Sequence, residues 1–190
     1  MNVHVTQFAD GLPRRAFTVA DAYRLVETGV IGPDERFELI GGEIVPMSPK
    51  NIRHERLKGW LNRHLARTLD GTGVEHIPET TFVLSASTFV EPDFVLYPTD
   101  PGLEALSPGT ALLAIEVSDT SLCYDRGRKA AVYAAHGVRE LWVIDARTRT
   151  TIVHRDPTPT GYASTDELGE ERAVRAAFVD GLQLNLRDYS

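Results

Sequence analysis

The sequence predicts a mixed α/β domain with a central sheet and helices packed against it. Three observations carry this prediction. Two short apolar runs, 90–96 and 111–117, have the length of strands buried on both faces. Leucines at 57, 61, 65 and 69 recur every four residues, which marks 52–69 as an amphipathic helix. The elements then succeed one another as helix, hairpin, helix, strands, helix, hairpin, the order of a mixed layer architecture.

Residues 1–16 lack periodicity and read as a lead-in. Thr18 and Asp21 mark a helix start, and the spacing predicts a helix over 19–28 that Gly29 ends. The stretch FELI-GG-EIVPMS has two β-rich arms around Gly41-Gly42, a hairpin signal closed by Pro46 and Pro49. The 52–69 helix stops at Gly71 and Gly73. Residues 74–77 and 80–84 are candidate strands. The runs 90–96 and 111–117 come next, separated by a loop rich in Pro and Gly; periodicity alone leaves a buried helix segment open for them. Residues 125–136 read as a helix ended by Gly137. Residues 141–145 and 151–155 form a hairpin through Arg147-Thr148, 156–172 is an exposed, partly acidic connection, and the tail alternates weakly. No repeat or low-complexity segment interrupts the chain. The expected division is 1–35, lead-in and helix, and then the main domain, 36–190.

Composition narrows the function. The 190 residues are long enough for one sizeable core and short for two. No apolar run approaches a membrane span, so no membrane partner is expected. The first thirty residues hold Asp10, Arg14, Arg15, Asp21 and Glu27 and no signal-like apolar block. Cys123, the single cysteine, excludes an internal disulfide and a multi-cysteine zinc site and fits a cytoplasmic location. A net charge of −7 gives no global field for nucleic acid, so such contact needs a local patch. The 50–67 segment offers one: Lys50, Arg53, Arg56, Lys58, Arg63 and Arg67 against Glu55 alone. Arg56, Arg63 and Arg67 share one stripe that could meet phosphates, or be a solvated helix face.

Chemistry concentrates in 89–129. Asp93 comes directly after Pro92 in one apolar run, and Glu116 stands behind five apolar residues in the other. An unpaired carboxylate in a buried strand loses several kcal/mol of solvation, so each needs a cation or strong donors. On neighbouring strands the two would offer the hard oxygen ligands that Mg2+ or Mn2+ prefers. Taken singly, Asp93 also fits a turn and Glu116 a salt bridge at a strand end. Lys129 opens a helix that is apolar all round over 130–135, at the end less favourable to a cation. It either meets a carboxylate and phosphate site or snorkels to water. Two carboxylates sharing a cation would repel without it, so removing one is expected to stabilise the metal-free chain.

FELIGGEIVPMSP, His54, EPDF, AIEVSDTS, YDRGRKAAVYAAHGVRELWVID and the closing GLQLNL resemble the Uma-two family of restriction-endonuclease-like proteins, over roughly residues 36–187. That family is assigned to the PD-(D/E)XK nuclease superfamily. The resemblance implies a restriction-endonuclease-like core over 36–190. Pro92-Asp93 then stands for the PD half-motif and Glu116 for the acidic member of the second. The lysine expected two residues after Glu116 is replaced by Ser118, and Lys129 is the lysine that matches.

The implied activity is metal-dependent cleavage of nucleic acid, DNA foremost. Asp93, Glu116 and the Val117 carbonyl would hold the metal, and Lys129 would orient the attacking water or offset phosphate charge. Glu38 would add a further carboxylate, and His54 would contact substrate. The superfamily's habit of pairing implies a homodimer. The other reading is an inert scaffold with the same fold that binds protein or nucleic acid.

Overall fold

The structure, a computed structural model, describes residues 5–7 and 13–189. The described residues form two compact units, one from within 1–49 together with 81–91 and one from 50–80 together with 92–189.

The first unit begins with β1 (Val5–Gln7), antiparallel to β2 (Pro13–Arg15). Helix α1 (Val19–Glu27) is next, its first turn closed by a reciprocal capping box between Thr18 and Asp21. Then comes the hairpin of β3 (Phe37–Ile40) and β4 (Glu43–Pro46). Gly41 and Gly42 both have positive φ, 60° and 84°, as a tight two-residue turn of this hand requires. A Cβ on Gly42 would stand 2.5 Å from that of Ala16. The chain leaves for α2 (Ile52–Thr68) and β5 (Val74–Pro78) of the second unit. It returns for β6 (Phe82–Ser85) and β7 (Thr88–Val90), completing a four-stranded sheet of order β4-β3-β7-β6. Ala22, Ile31, Phe37, Leu39 and Phe89 fill its core.

From residue 92 onward the chain stays in the second unit. Strands β8 (Phe94–Pro98), β9 (Leu113–Ser118), β10 (Glu140–Asp145), β11 (Thr150–Thr158) and β12 (Gly161–Leu168) join β5 in a six-stranded sheet of order β12-β11-β10-β9-β8-β5. Only β9 and β10 run parallel, and that pair needs a crossover. The crossover holds α3 (Leu122–Tyr124), a π-helical turn (Asp125–Lys129) and α4 (Ala130–Ala135). The leucines of α2 pack on Phe94, Leu96, Leu113, Ile115, Val117, Trp142 and Ile144. Strand alternation therefore sends Ala114 and Glu116 to the opposite face, where α4 lies. Two-residue strands β13 (Val174–Arg175) and β14 (Gln183–Leu184) close the chain and add Val174 and Leu184 to the α2 side of the core.

The mixed α/β class with a central mixed sheet is as the sequence predicts, and 90–96 and 111–117 do supply adjacent strands, β8 and β9. Three elements differ. The 90–96 run is broken at 91–93, because Pro92 lacks an N–H for the ladder and restricts Glu91. The 125–136 helix contains the π-turn. Part of the 156–172 connection is β12, an edge strand whose polar sequence hides it. Of the 1–16 lead-in, residues 1–4 and 8–12 lie outside the described residues.

Candidate active site

The site is built at one end of β8 and β9. These strands pair as Phe94↔Ile115, Val95↔Ala114 and Leu96↔Leu113. One further step of that register sets Asp93 across from Glu116. Asp93 Oδ2 accepts the Val117 N–H at 2.8 Å, which ties its carboxylate to the next strand. Both carboxylates are 4% exposed.

Each carboxylate has its own cation. Asp93 Oδ2 lies 3.1 Å from His54 Nε2, and Lys50 Nζ donates to Oδ1 at 3.2 Å. His54 reaches Asp93 from the first turn of α2, where Asn51 caps the helix by accepting from the backbone of Arg53 and His54. The other His54 nitrogen faces Glu55 Oε1 at 3.1 Å. Burial pushes the Asp93 carboxyl up, but the His54 bond and charge, the Lys50 charge and the Val117 N–H outweigh it and hold it at about 2. Glu79 obeys the same logic: burial raises it, whereas bonds from Lys50 and Lys58 hold it at about 2.

Glu116 is served from the crossover. Its Oε1 accepts the Tyr133 hydroxyl at 2.5 Å and lies 2.9 Å from Lys129 Nζ. Lys129 is 4% exposed, so it does not snorkel to water. It ends the π-turn, which carries an extra residue per turn and so rotates the face that α4 presents to the sheet. Asp125, at the start of that turn, accepts the Ser118 and Ser121 hydroxyls at 2.6 and 2.5 Å. Ser118, which stands where the lysine of the second half-motif is expected, thus anchors the helix that brings Lys129.

Asp93, Glu116, Lys129 and His54 therefore share this end of the second unit, together with Lys50, Glu79 and Tyr133. Sequence reasoning places Lys50 only in a basic segment and Tyr133 only within the apolar 130–135 stretch that follows Lys129; a tyrosine four residues from a lysine in an apolar helix is the available signal. Glu38 stands in the first unit, 2% exposed, and its Oε1 accepts the Glu91 N–H at 3.0 Å. Arg56, Arg63 and Arg67 are exposed along α2.

Among the described residues no three His, Cys, Asp or Glu side chains cluster as metal ligands. The donor chemistry still fits a hard cation: two buried carboxylates on adjacent strands supply only oxygen. Magnesium accepts one or two carboxylates and keeps waters elsewhere, where zinc would want nitrogen or sulfur. Lys50 and His54 lie on Asp93 and Lys129 on Glu116, so a bound dication would have to share or displace them.

The family model for Uma2, described as "Putative restriction endonuclease", matches residues 20–187. A crystal structure of a "putative nuclease belonging to DUF820" from Anabaena variabilis shares the fold with a TM-score of 0.67 and 16% identity, covering 91% of this chain and 97% of its own. No curated protein matches the chain.

Proposed function

The chain belongs to the Uma2 family, and from that premise we propose that it is a divalent-metal-dependent endonuclease of the PD-(D/E)XK type that hydrolyses phosphodiester bonds of nucleic acid, DNA foremost. The observation that carries the reading is the pairing of Asp93 and Glu116 at one end of adjacent strands, with buried Lys129 on Glu116. Asp93, Glu116 and the Val117 carbonyl would hold Mg2+ or Mn2+. Bound there, the ion supplies acidified water and charge neutralisation at the phosphate. Lys129, its Nζ 2.9 Å from Glu116 Oε1, presents N–H donors to the attacking water or to a phosphate oxygen. Tyr133 fixes Glu116, and the Val117 N–H fixes Asp93, so neither carboxylate has to reorganise during the reaction.

His54, next to Asp93, would meet the substrate, and Arg56, Arg63 and Arg67 would touch phosphates along α2. Changing those three to Ala should weaken binding at every sequence and flatten its salt dependence, and an unchanged salt slope would leave them as solvated surface. A homodimer and a cytoplasmic location belong to the same reading; no described helix is long and apolar enough to cross a membrane.

One observation favours the inert scaffold instead: each carboxylate already has a protein cation. Cleavage separates the readings. Supercoiled plasmid and single-stranded DNA and RNA are incubated with the protein in Mg2+, Mn2+ or EDTA. The nuclease reading expects nicking or degradation in metal, none in EDTA, and none from Glu116→Ala. No cleavage of any substrate in either metal would leave the scaffold.

A further inference from the structure

Nucleic acid approaching a protein of net charge −7 needs local cations that are not already neutralised. Lys50 and Lys58 are poor candidates. Their side chains are 16% and 13% exposed and committed to Glu79, Asp93 and Glu55. Two arginines at the same end of the sheet differ. The side chains of Arg53 and Arg147 are 51% and 62% exposed, and both converge on Asp119, which is 7% exposed. Arg53 Nη1 lies 3.0 and 3.2 Å from its two oxygens, Arg147 Nε lies 3.5 Å from Oδ1, and the Asn51 amide donates to Oδ2.

The backbone beneath both arginines is fixed. Asn51 Oδ1 accepts the Arg53 N–H at 3.0 Å, and Asp145 Oδ1 accepts the Arg147 N–H at 2.8 Å. Their place in the fold is also defined. Asp119 lies just past β9, three residues beyond Glu116. Arg147 lies just past β10, whose Asp145 pairs with Ser118 across the parallel ladder. Arg53 precedes His54, which faces Asp93. Asp119 spreads one negative charge over two guanidiniums, while the nearby Asp145 carboxylate is spent on the Arg147 and Thr148 N–H groups and the Thr148 hydroxyl rather than on a guanidinium. Among the described residues each arginine uses one of its three nitrogens on Asp119, and the fork that remains matches phosphate oxygens.

We propose that Arg53 and Arg147, aligned by Asp119, form a phosphate-binding site that grips the nucleic-acid backbone beside Asp93 and Glu116. This rests on the nuclease reading and adds to it a pair of substrate-binding residues. Asp119 acts through the arginines and is a positioning residue.

The test measures binding of labelled duplex and single-stranded DNA to the full chain in EDTA, across a range of salt. The proteins are wild type, Arg53→Gln/Arg147→Gln and Arg53→Lys/Arg147→Lys. Glutamine keeps an amide for Asp119 but removes the charge, so it tests the grip without emptying the Asp119 site. The glutamine pair is expected to raise Kd about tenfold or more at low salt. It should also reduce the slope of log K against log salt by about one per arginine. The lysine pair should keep the wild-type slope. If wild type binds and the glutamine pair matches its slope, whether or not Kd changes, the arginines only pin Asp119 and the proposal is overturned while the nuclease reading stands. If wild type binds neither probe and cleaves no substrate, both fall.

Discussion

Asp93 loses most of its hydration on folding, and burial alone would raise its carboxyl; its partners reverse that. The folded value of about 2 lies below the ordinary 3.8, so the folded chain binds this proton less readily than the unfolded chain. The stabilisation is fully present above about pH 4 and is lost as pH falls toward about 2; the shift corresponds to about 2 kcal/mol. Glu79 titrates in the same window, so the measurement belongs in a Glu79→Gln background. Urea unfolding in EDTA should show Asp93→Asn less stable than its parent at pH 6, with the gap closing near pH 2. A gap that stays constant over that range would contradict the account. The sequence reading expects the opposite sign at neutral pH, from repulsion between two carboxylates. It treats them as a pair of like charges, whereas Lys50, His54 and Lys129 arrive from segments that no local pattern connects to them.

The π-turn is the element on which Lys129 depends. Its existence is not legible in the sequence, since DRGRKAAVYAAH satisfies an ordinary helical pattern throughout. What distinguishes it is tertiary: buried Asp125 is held by Ser118, on the strand, and by Ser121. Asp125→Ala removes the acceptor of two short hydroxyl bonds and should lower stability by about 3 kcal/mol in chemical denaturation. It should also lower cleavage, because Lys129 loses its anchor. A loss under about 0.5 kcal/mol would mean that the turn holds without Asp125. By contrast α2 is legible almost to the residue, because a leucine every four positions is a local signal, whereas its Asn51 cap emerges from the structure. The edge strand β12 is not, since GYASTDEL has few apolar side chains to alternate.

At the scale of the molecule the two units interleave along the chain, and little in the sequence marks the crossings beyond Pro49 and Pro92. Within the second unit, the 174–184 segment is tied to the six-stranded sheet by Glu140, which is fully buried. Its Oε1 accepts Trp142 Nε1 at 2.9 Å and Arg155 Nη2 at 2.6 Å, and its Oε2 accepts the Ala177 N–H at 2.8 Å. Removing one partner of such a pair strands the other, so Glu140→Ala should cost about 3–5 kcal/mol. Limited proteolysis should then cut within 174–184 before the sheet opens. Equal protection of that segment in both proteins would show that apolar contacts alone hold it.

The proposed nuclease needs Asp93 and Glu116 to hold one divalent cation together and Lys129 to serve the reaction rather than the metal. Calorimetric titration of Mn2+ into wild type, Asp93→Ala, Glu116→Ala and Lys129→Ala, each first shown to be folded, tests it most directly. One site is expected in wild type, none in either carboxylate variant, and a retained site in Lys129→Ala, which should bind at least as tightly once a competing cation is gone. Absence of binding in wild type, or equal binding in all four proteins, would contradict it.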